Sequence, residues 1–394
     1  MYDRAFFDNP VDRRGTACEK WDAAMARDPR LVNPMWVADM DFRCPNEVVQ
    51  ALMARAAHPV YGYTEQTEQA VSAMLGFMER RHGLRLSRDE QIMLPCVVSG
   101  LKAAVLAFTR PGERVIVQPP VYGPFYAAVR DNGREAAECP LKKDAAGRYT
   151  MDLERVEDAC RAGARMMFLC SPHNPVGRVW SRAELEALLT VLARYDVLLL
   201  SDEIHEDFVF ERGAFTPALN LAGEAGVRAI SMTSASKTFN LAGLKQAAAF
   251  CRDAGLLAAL EKTLRDAGVV SGNIFGMVAT EAAFAHGDAW LDALLDYLRG
   301  NEALAREFFA KRFPQVRISP LEGTYLLWAD CRALGVPDEE RDAFLRQDAG
   351  WIVNAGGMFG EEGKGFERIN IALPRPELQK ALDRLSLAAQ KVGF

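Results

Sequence analysis

The stretch Ser234-Ala-Ser-Lys-Thr-Phe-Asn240 decides the fold, because it places Lys237 among small hydroxyl residues directly after the apolar run at 229–232. A single lysine in a loop is usually a solvated surface charge. Two polar residues upstream change that expectation. Asn174 and Asp202 each follow a short apolar run of their own, at 166–170 and 197–200. Three apolar runs therefore lead into three polar groups.

The three apolar runs are predicted to be parallel strands, with helices between them such as the segment 182–195, whose leucines and alanines recur every three or four residues. Similar alternation from about residue 46 to 287 is typical of a parallel sheet covered by helices. Ligands of such sheets bind at the carboxyl ends of the strands, so we expect Asn174, Asp202 and Lys237 to meet in one crevice. Beyond residue 287 we expect helices over 290–309 and 376–392 and two strands within 316–329.

The order Asn174, Asp202, Lys237 resembles that of the fold-type I pyridoxal phosphate (PLP) enzymes. In that family asparagine contacts the phenolic oxygen of the cofactor, aspartate its pyridine nitrogen, and lysine carries its aldehyde carbon. The resemblance implies an α/β fold of the aspartate aminotransferase type. It has a large domain with a mainly parallel sheet flanked by helices, here 46–287, and a smaller α+β domain, here 1–45 and 288–394. For Asp202 alone, a helix N-cap is the alternative interpretation.

Composition sets further limits. A chain of 394 residues exceeds the usual size of a single core, so two domains are expected. The net charge of −6, without a dense basic block, argues against nucleic acid or a membrane surface as partner. The eight cysteines are widely spaced, which predicts reduced thiols and no metal site. Without a long apolar stretch or a secretion signal, a cytoplasmic protein is expected.

The family resemblance also implies a set of cofactor-binding residues. Tyr122 occupies the position of the aromatic residue that stacks on the ring, although it could simply pack in its proline-rich turn. Tyr63 matches the tyrosine that relatives lend to the phosphate of the neighbouring subunit, which implies a homodimer. His205 would face the same side as Asp202 if that segment were helical. The phosphate is expected at a helix start and beside hydroxyls, namely at Ser99, Gly100, Leu101, Ser234 and Ser236.

Two further residues are candidates for the substrate, together with Asn174. Arg368 matches the arginine that binds the substrate α-carboxylate through a two-pronged contact, although alone it would be an ordinary surface charge. Trp36 lies in Asn33-Pro-Met-Trp-Val-Ala-Asp-Met-Asp-Phe42 and could be a buried anchor of the N-terminal arm, a wall of the site, or both.

The segment 33–42, the Lys237 motif and the segment 357–372 resemble the cystathionine β-lyase branch of the family, of the MalY/PatB type. Aminotransferases commonly carry a phosphate-binding arginine where this chain has Lys245. The resemblance implies a carbon–sulfur β-lyase that converts L-cystathionine, cysteine or related S-substituted cysteines to a thiol, pyruvate and ammonia. Lys237, Asp202 and Tyr122 are then the catalytic candidates. The alternatives are a class I/II aminotransferase and a non-catalytic regulator that shares the fold.

Overall fold

The computed structural model describes residues 2–269 and 272–391. Its strands, in chain order, are β1 (Asn33–Pro34), β2 (Gln91–Leu94), β3 (Arg114–Val117), β4 (Glu135–Glu138), β5 (Lys142–Lys143), β6 (Tyr149–Thr150), β7 (Met166–Cys170), β8 (Leu198–Asp202), β9 (Ala229–Thr233), β10 (Ala247–Phe250), β11 (Arg317–Ile318), β12 (Leu326–Asp330), β13 (Trp351–Ile352), β14 (Asn354–Ala355) and β15 (Phe366–Asn370).

The α-helices, in chain order, are α1 (Arg4–Asp8), α2 (Ala24–Arg27), α3 (Asn46–Ala57), α4 (Glu68–His82), α5 (Val97–Phe108), α6 (Pro124–Arg130), α7 (Leu153–Arg161), α8 (Arg182–Arg194), α9 (Leu219–Ala222), α10 (Ala235–Thr238), α11 (Ala254–Asp266), α12 (Ile274–His286), α13 (Asp288–Arg312), α14 (Asp338–Gln347) and α15 (Arg375–Lys391). Within the described residues, no helix is long and apolar enough to cross a membrane.

The main sheet has seven strands in the order β2-β10-β9-β8-β7-β3-β4. Five of them, from β9 to β4, run parallel, and only β10 runs against its neighbours. Every residue of β7, β8 and β9 is buried, which explains why these strands are nearly continuous apolar runs. The predicted α/β fold with a mainly parallel sheet is confirmed.

The helix that crosses from β7 to β8 shows how the sequence encodes this layer. Ser181 caps α8 by accepting a hydrogen bond from the Glu184 amide (3.3 Å), and the Glu184 carboxylate accepts one from the Ser181 amide (2.9 Å). The leucines of α8 at helical spacing are buried. Asp196, with a φ of 52°, then turns the chain into β8. This crossover delivers Asp202 to the carboxyl end of the sheet.

The C-terminal part of the chain is built on a second sheet, which is antiparallel and ordered β11-β12-β15-β14. The long helix expected over 290–309 is α13, which extends further at both ends. The helix expected over 376–392 is α15, whose expected last residue, Val392, lies outside the described residues. All eight cysteines are free thiols, as the sequence predicts.

The N-terminal arm, which includes β1 and continues to Phe42, first contacts the C-terminal part of the chain and then crosses to the main sheet. Strand β1 pairs in parallel with β13, and the Met35 amide donates to the Ile352 carbonyl (2.8 Å). Further along, the Asn240 side chain donates to the carbonyls of Met40 (2.8 Å) and Phe42 (2.9 Å). Because Asn240 ends the Lys237 motif, the arm is fixed directly over that motif. The domain boundaries at 45/46 and 287/288 stay a prediction.

Candidate active site

A cavity of about 460 Å³ lies at the carboxyl ends of β7, β8 and β9, beneath the N-terminal arm. It is lined by residues from both sheet regions and from the arm. Nine of the residues predicted from the sequence line it: Trp36, Tyr122, Asn174, Asp202, His205, Ser234, Ser236, Lys237 and Arg368. Residues up to 332 positions apart in the chain therefore meet here, as Arg368 and Trp36 do.

Lys237 lies in the short helix α10, and its amine points to the arm. The Nζ atom donates a hydrogen bond to the Ala38 carbonyl (2.6 Å). Burial lowers the pKa of the Lys237 amine to about 8, with Arg368 acting in the same direction and Asp39 and Asp202 opposing it. Near pH 7 the amine therefore loses its proton more readily than an exposed lysine does. The amine is therefore prepared to act as a nucleophile and as a base.

The serines of the motif hold its backbone in place. The Ser234 hydroxyl donates to the Gln246 carbonyl (2.6 Å) and accepts from the Ser236 amide (3.0 Å), so it caps the start of α10. Ser234 and Ser236 both line the cavity. The hydroxyl of Ser234 is thus already engaged within the protein.

Asp202 is the last residue of β8 and is almost completely buried. Its Oδ1 atom accepts a hydrogen bond from the Ile204 amide (3.1 Å). Burial raises the pKa of Asp202 to about 6, while that amide and Lys237 act to lower it. A carboxylate kept out of water in this way gains strongly from a cationic partner in the cavity. The protonated pyridine nitrogen of PLP would be such a partner.

Arg368 lies in the middle of β15 and reaches into the cavity. Its guanidinium donates to the Asn174 side chain (2.9 Å), the Asn354 side chain (2.6 Å) and the Trp36 carbonyl (2.7 Å). Burial lowers its pKa to about 10. Among the described residues no carboxylate lies within ion-pair distance of Arg368, and its Nε has no hydrogen-bond partner. The charge is held in place and is available to a carboxylate ligand.

Tyr122 and His205 complete the walls of the cavity. Burial, reinforced by the charge of Asp202, raises the pKa of the Tyr122 phenol, so it is a neutral hydroxyl. His205 lies in a turn and not in a helix, yet it lines the same cavity as Asp202. Burial lowers the pKa of His205 to about 3, and the charges of Lys237 and Arg368 act in the same direction. Its imidazole is therefore neutral.

Four predicted cofactor residues lie elsewhere. Helix α5 begins at Val97, and the residues of this segment that line the cavity are Cys96, Val97 and Val98. Gly100 lies in the first turn of α5 and faces the main sheet, where an added Cβ would lie 2.6 Å from Leu94. Leu101 is buried, and the Ser99 hydroxyl donates to the Cys96 carbonyl (2.7 Å). Tyr63 is fully exposed at the surface of this chain.

Several lining groups were not identified from the sequence. The Ala38 carbonyl carries no side-chain signal, and its role follows only from the path of the arm. Asn354 reaches the cavity through strand pairing, since β14 places it directly opposite Arg368. Lys245 differs from these two, because the sequence already marks it as the replacement of a phosphate-binding arginine, and it lines the cavity with a left-handed φ of 51°. These three positions depend on tertiary packing.

Comparisons with known proteins agree with this geometry. Residues 36–385 match the model of the family "Aminotransferase class I and II". The chain is 36% identical to cystathionine beta-lyase PatB of Bacillus subtilis, over 97% of this chain and 99% of that protein. It is 31% identical to the protein MalY of Escherichia coli, over 98% of this chain and 99% of that protein.

Solved structures share the fold of this chain as well. Cystalysin from Treponema denticola, whose crystal structure contains pyridoxal 5'-phosphate, superposes with a TM-score of 0.95 at 32% identity, and the match covers 100% of both chains. The match therefore spans the site residues and the arm as well as the main sheet. This chain belongs to the aminotransferase class I and II family.

Proposed function

We propose that this protein is a PLP-dependent carbon–sulfur β-lyase. It would cleave L-cystathionine, cysteine or related S-substituted cysteines to a thiol, pyruvate and ammonia. The observation that carries the proposal is the placement of the Lys237 amine in one cavity with Asp202 and Arg368. The similarity to PatB, which is named a cystathionine beta-lyase, over nearly the whole chain supports this branch of the family.

The residues of the cavity fit the cofactor. Lys237 offers a partly neutral amine for the aldehyde carbon, and buried Asp202 offers a carboxylate for the pyridine nitrogen. Asn174 and Tyr122 line the same cavity and would contact the ring. The first amides of α5, at Val97 and Val98, offer donors for the phosphate. Bound PLP withdraws electrons from the substrate Cα and so makes its hydrogen acidic.

The chain's own residues then perform three tasks. Arg368 binds the α-carboxylate of the substrate and fixes the orientation of Cα. The neutral Lys237 amine removes the Cα proton as general base, and the resulting ammonium returns a proton to the sulfur that leaves. Asp202, as a carboxylate, keeps the pyridine nitrogen protonated while negative charge develops. The Ala38 carbonyl holds the amine between these steps.

Product analysis tests the proposed reaction. The holoenzyme is mixed with L-cystathionine without any oxo-acid acceptor, and pyruvate and free thiol are measured. Repeated turnover with equal amounts of pyruvate and thiol is expected for elimination. A single conversion that stops with the cofactor in its amine form would instead identify an aminotransferase. An unreactive holoenzyme would favour the regulatory alternative.

Replacing Arg368 with lysine tests the carboxylate site. We expect KM for L-cystathionine to rise about 10- to 100-fold, because lysine cannot make the two parallel contacts of a guanidinium. The kcat should change less than KM, since the contact exists before and during the reaction. Steady-state kinetics measures both.

A substrate analogue provides the matched control for Arg368. An S-substituted cysteine amide lacks the carboxylate. With the unchanged enzyme its KM should be raised by a factor similar to that of Arg368→Lys with L-cystathionine. With Arg368→Lys the KM for the amide should rise little further, because the carboxylate that the arginine binds is already absent. If Arg368→Lys raised KM by the same factor for the amide as for L-cystathionine, Arg368 would not bind the substrate carboxylate.

We also propose a homodimer in which Tyr63 contacts the cofactor phosphate of the neighbouring subunit. Tyr63 is fully exposed, and Met53, Val60 and Tyr61 nearby are exposed apolar side chains on α3 and the loop after it. Sedimentation velocity should give the mass of a dimer. Tyr63→Phe should lower cofactor affinity about tenfold without a change in that mass. A monomeric active enzyme would contradict the proposal.

A further inference from the structure

A second cluster of ionisable side chains lies outside the catalytic cavity. His82, the last residue of α4, meets Glu206 and Asp207, which lie in the turn after β8. One potential metal-ligand atom from each residue lies within 4.8 Å of the others. All three residues line a separate cavity of about 340 Å³. The end of β8 and the turn after it therefore supply Asp202 and His205 to one cavity and Glu206 and Asp207 to the other.

Glu206 has an unused ligand atom. Its side chain is only 3% exposed. One carboxylate oxygen accepts a hydrogen bond from the Thr233 hydroxyl (2.5 Å). The other, Oε2, is buried and has no hydrogen-bond partner among the described residues. A buried oxygen of this kind costs free energy unless a ligand satisfies it.

The cluster consists of two neighbouring acidic side chains and one imidazole. Glu206 and Asp207 are both buried, and the basic group in direct contact with them is the imidazole of His82, at 2.9 Å from Asp207. Four arginines line the same cavity, namely Arg80, Arg81, Arg212 and Arg299. Within residues 2–269 and 272–391, no lysine or arginine forms an ion pair with either carboxylate. Buried carboxylates are normally paired with cations or bound to metals. A proton on Oε2 would be a donor that still lacked an acceptor.

We infer that His82, Glu206 and Asp207 bind a divalent transition-metal cation of the Zn²⁺ or Mn²⁺ class. One imidazole with two carboxylates suits these metals, whereas Ca²⁺ and Mg²⁺ prefer oxygen ligands throughout. With metal–ligand bonds of about 2.0–2.2 Å, the ligand atoms of one metal lie about 3–3.5 Å apart. The contact of 2.9 Å between His82 and Asp207 would therefore open slightly, and Glu206 would move toward them. The adjoining cavity leaves room for water to complete the coordination.

The cation would act on structure and not on the reacting atoms. Thr238, which follows Lys237, donates a hydrogen bond to Asp207 Oδ2 (2.7 Å). A metal bound to Asp207 would therefore fix the turn that follows Asp202 relative to the helix that carries Lys237. This cluster could not be predicted from the sequence, because His82 and Asp207 are 125 positions apart. Binding of the cation is expected to raise the thermal stability of the protein.

Metal titration of the holoenzyme tests the inference. The full chain with its cofactor is dialysed against a chelator and titrated with ZnCl₂ and with MnCl₂ in a calorimeter. One equivalent of at least one cation should bind and raise the melting temperature. Glu206→Gln, which keeps the size of the side chain, should weaken this binding by at least about 10-fold, since even indirect partners of a metal contribute that much.

Two comparisons keep the test decisive. Asp296→Asn alters a carboxylate that lines the same cavity but is largely exposed and paired with Arg299, and it should bind the cation as the unchanged chain does. His82→Asn removes a different ligand and should reproduce the loss seen with Glu206→Gln. The cofactor absorption spectrum should be the same before and after the cation is added. No binding to the unchanged chain, or equal binding by Glu206→Gln, would overturn the inference.

Discussion

Replacing Lys237 with alanine should lower the rate of pyruvate release from L-cystathionine by about 10³-fold or more. General base catalysis alone contributes about 10² to 10⁴ in rate, and this amine is also the proposed acid and the anchor of the cofactor. Its environment is specialised for these roles, since burial lowers its pKa to about 8. The visible absorption of the lysine-bound cofactor should disappear in the same variant. Stopped-flow absorbance and a coupled pyruvate assay measure the two effects.

Lys245 offers a matched control for Lys237. It is a second lysine that lines the same cavity, but it is exposed and follows the 3-10 helix Ala242–Leu244. Lys245→Ala should keep the visible absorption of the lysine-bound cofactor and most of kcat, with weaker cofactor binding if the lysine contacts the phosphate. A small primary amine added to Lys237→Ala should restore part of the activity, because the missing group is a base. Substantial activity of Lys237→Ala without added amine would rule out the assigned role.

The sequence predicts the catalytic half of the site well, for a physical reason. Asn174, Asp202 and Lys237 follow apolar runs, and the direction of parallel strands brings their ends to one edge of the sheet. That information is local to each strand and its neighbouring turn. Strands β7 and β9 begin where the sequence places them, and β8 begins one residue later and includes Asp202 itself.

The contacts made by the arm could not be predicted in the same way. Ala38 contributes only a backbone carbonyl, and Asn354 reaches the site because β14 pairs with β15 opposite Arg368. The start of α5 is set by the chain's exit from β2, and it brings Cys96, Val97 and Val98 to the cavity instead of the Ser99–Leu101 segment. Such positions depend on how two sheets and a long arm pack together. Residue type carries little information about them.

Replacing Asp202 with asparagine should lower kcat by about 10²- to 10³-fold with a smaller effect on KM. The amide has almost the same shape, so it preserves packing at the end of β8, but it lacks the negative charge that holds a proton on the pyridine nitrogen. Loss of one preorganised electrostatic partner typically costs a factor of this size. Burial strengthens the effect, since little water is present to replace the missing charge. Single-turnover kinetics separates the chemical step from cofactor loss.

Charge, and not hydrogen bonding alone, is the property that this substitution tests. Asp202→Glu keeps the charge on a longer side chain and should recover part of the lost rate. A cofactor analogue with a methyl group on the pyridine nitrogen carries a permanent positive charge and needs no carboxylate to maintain it. With that analogue, Asp202→Asn and the unchanged enzyme should differ by less than about tenfold, because both then hold a charged ring. If the full difference persisted, Asp202 would act by positioning the ring, and its electrostatic role would have to be abandoned.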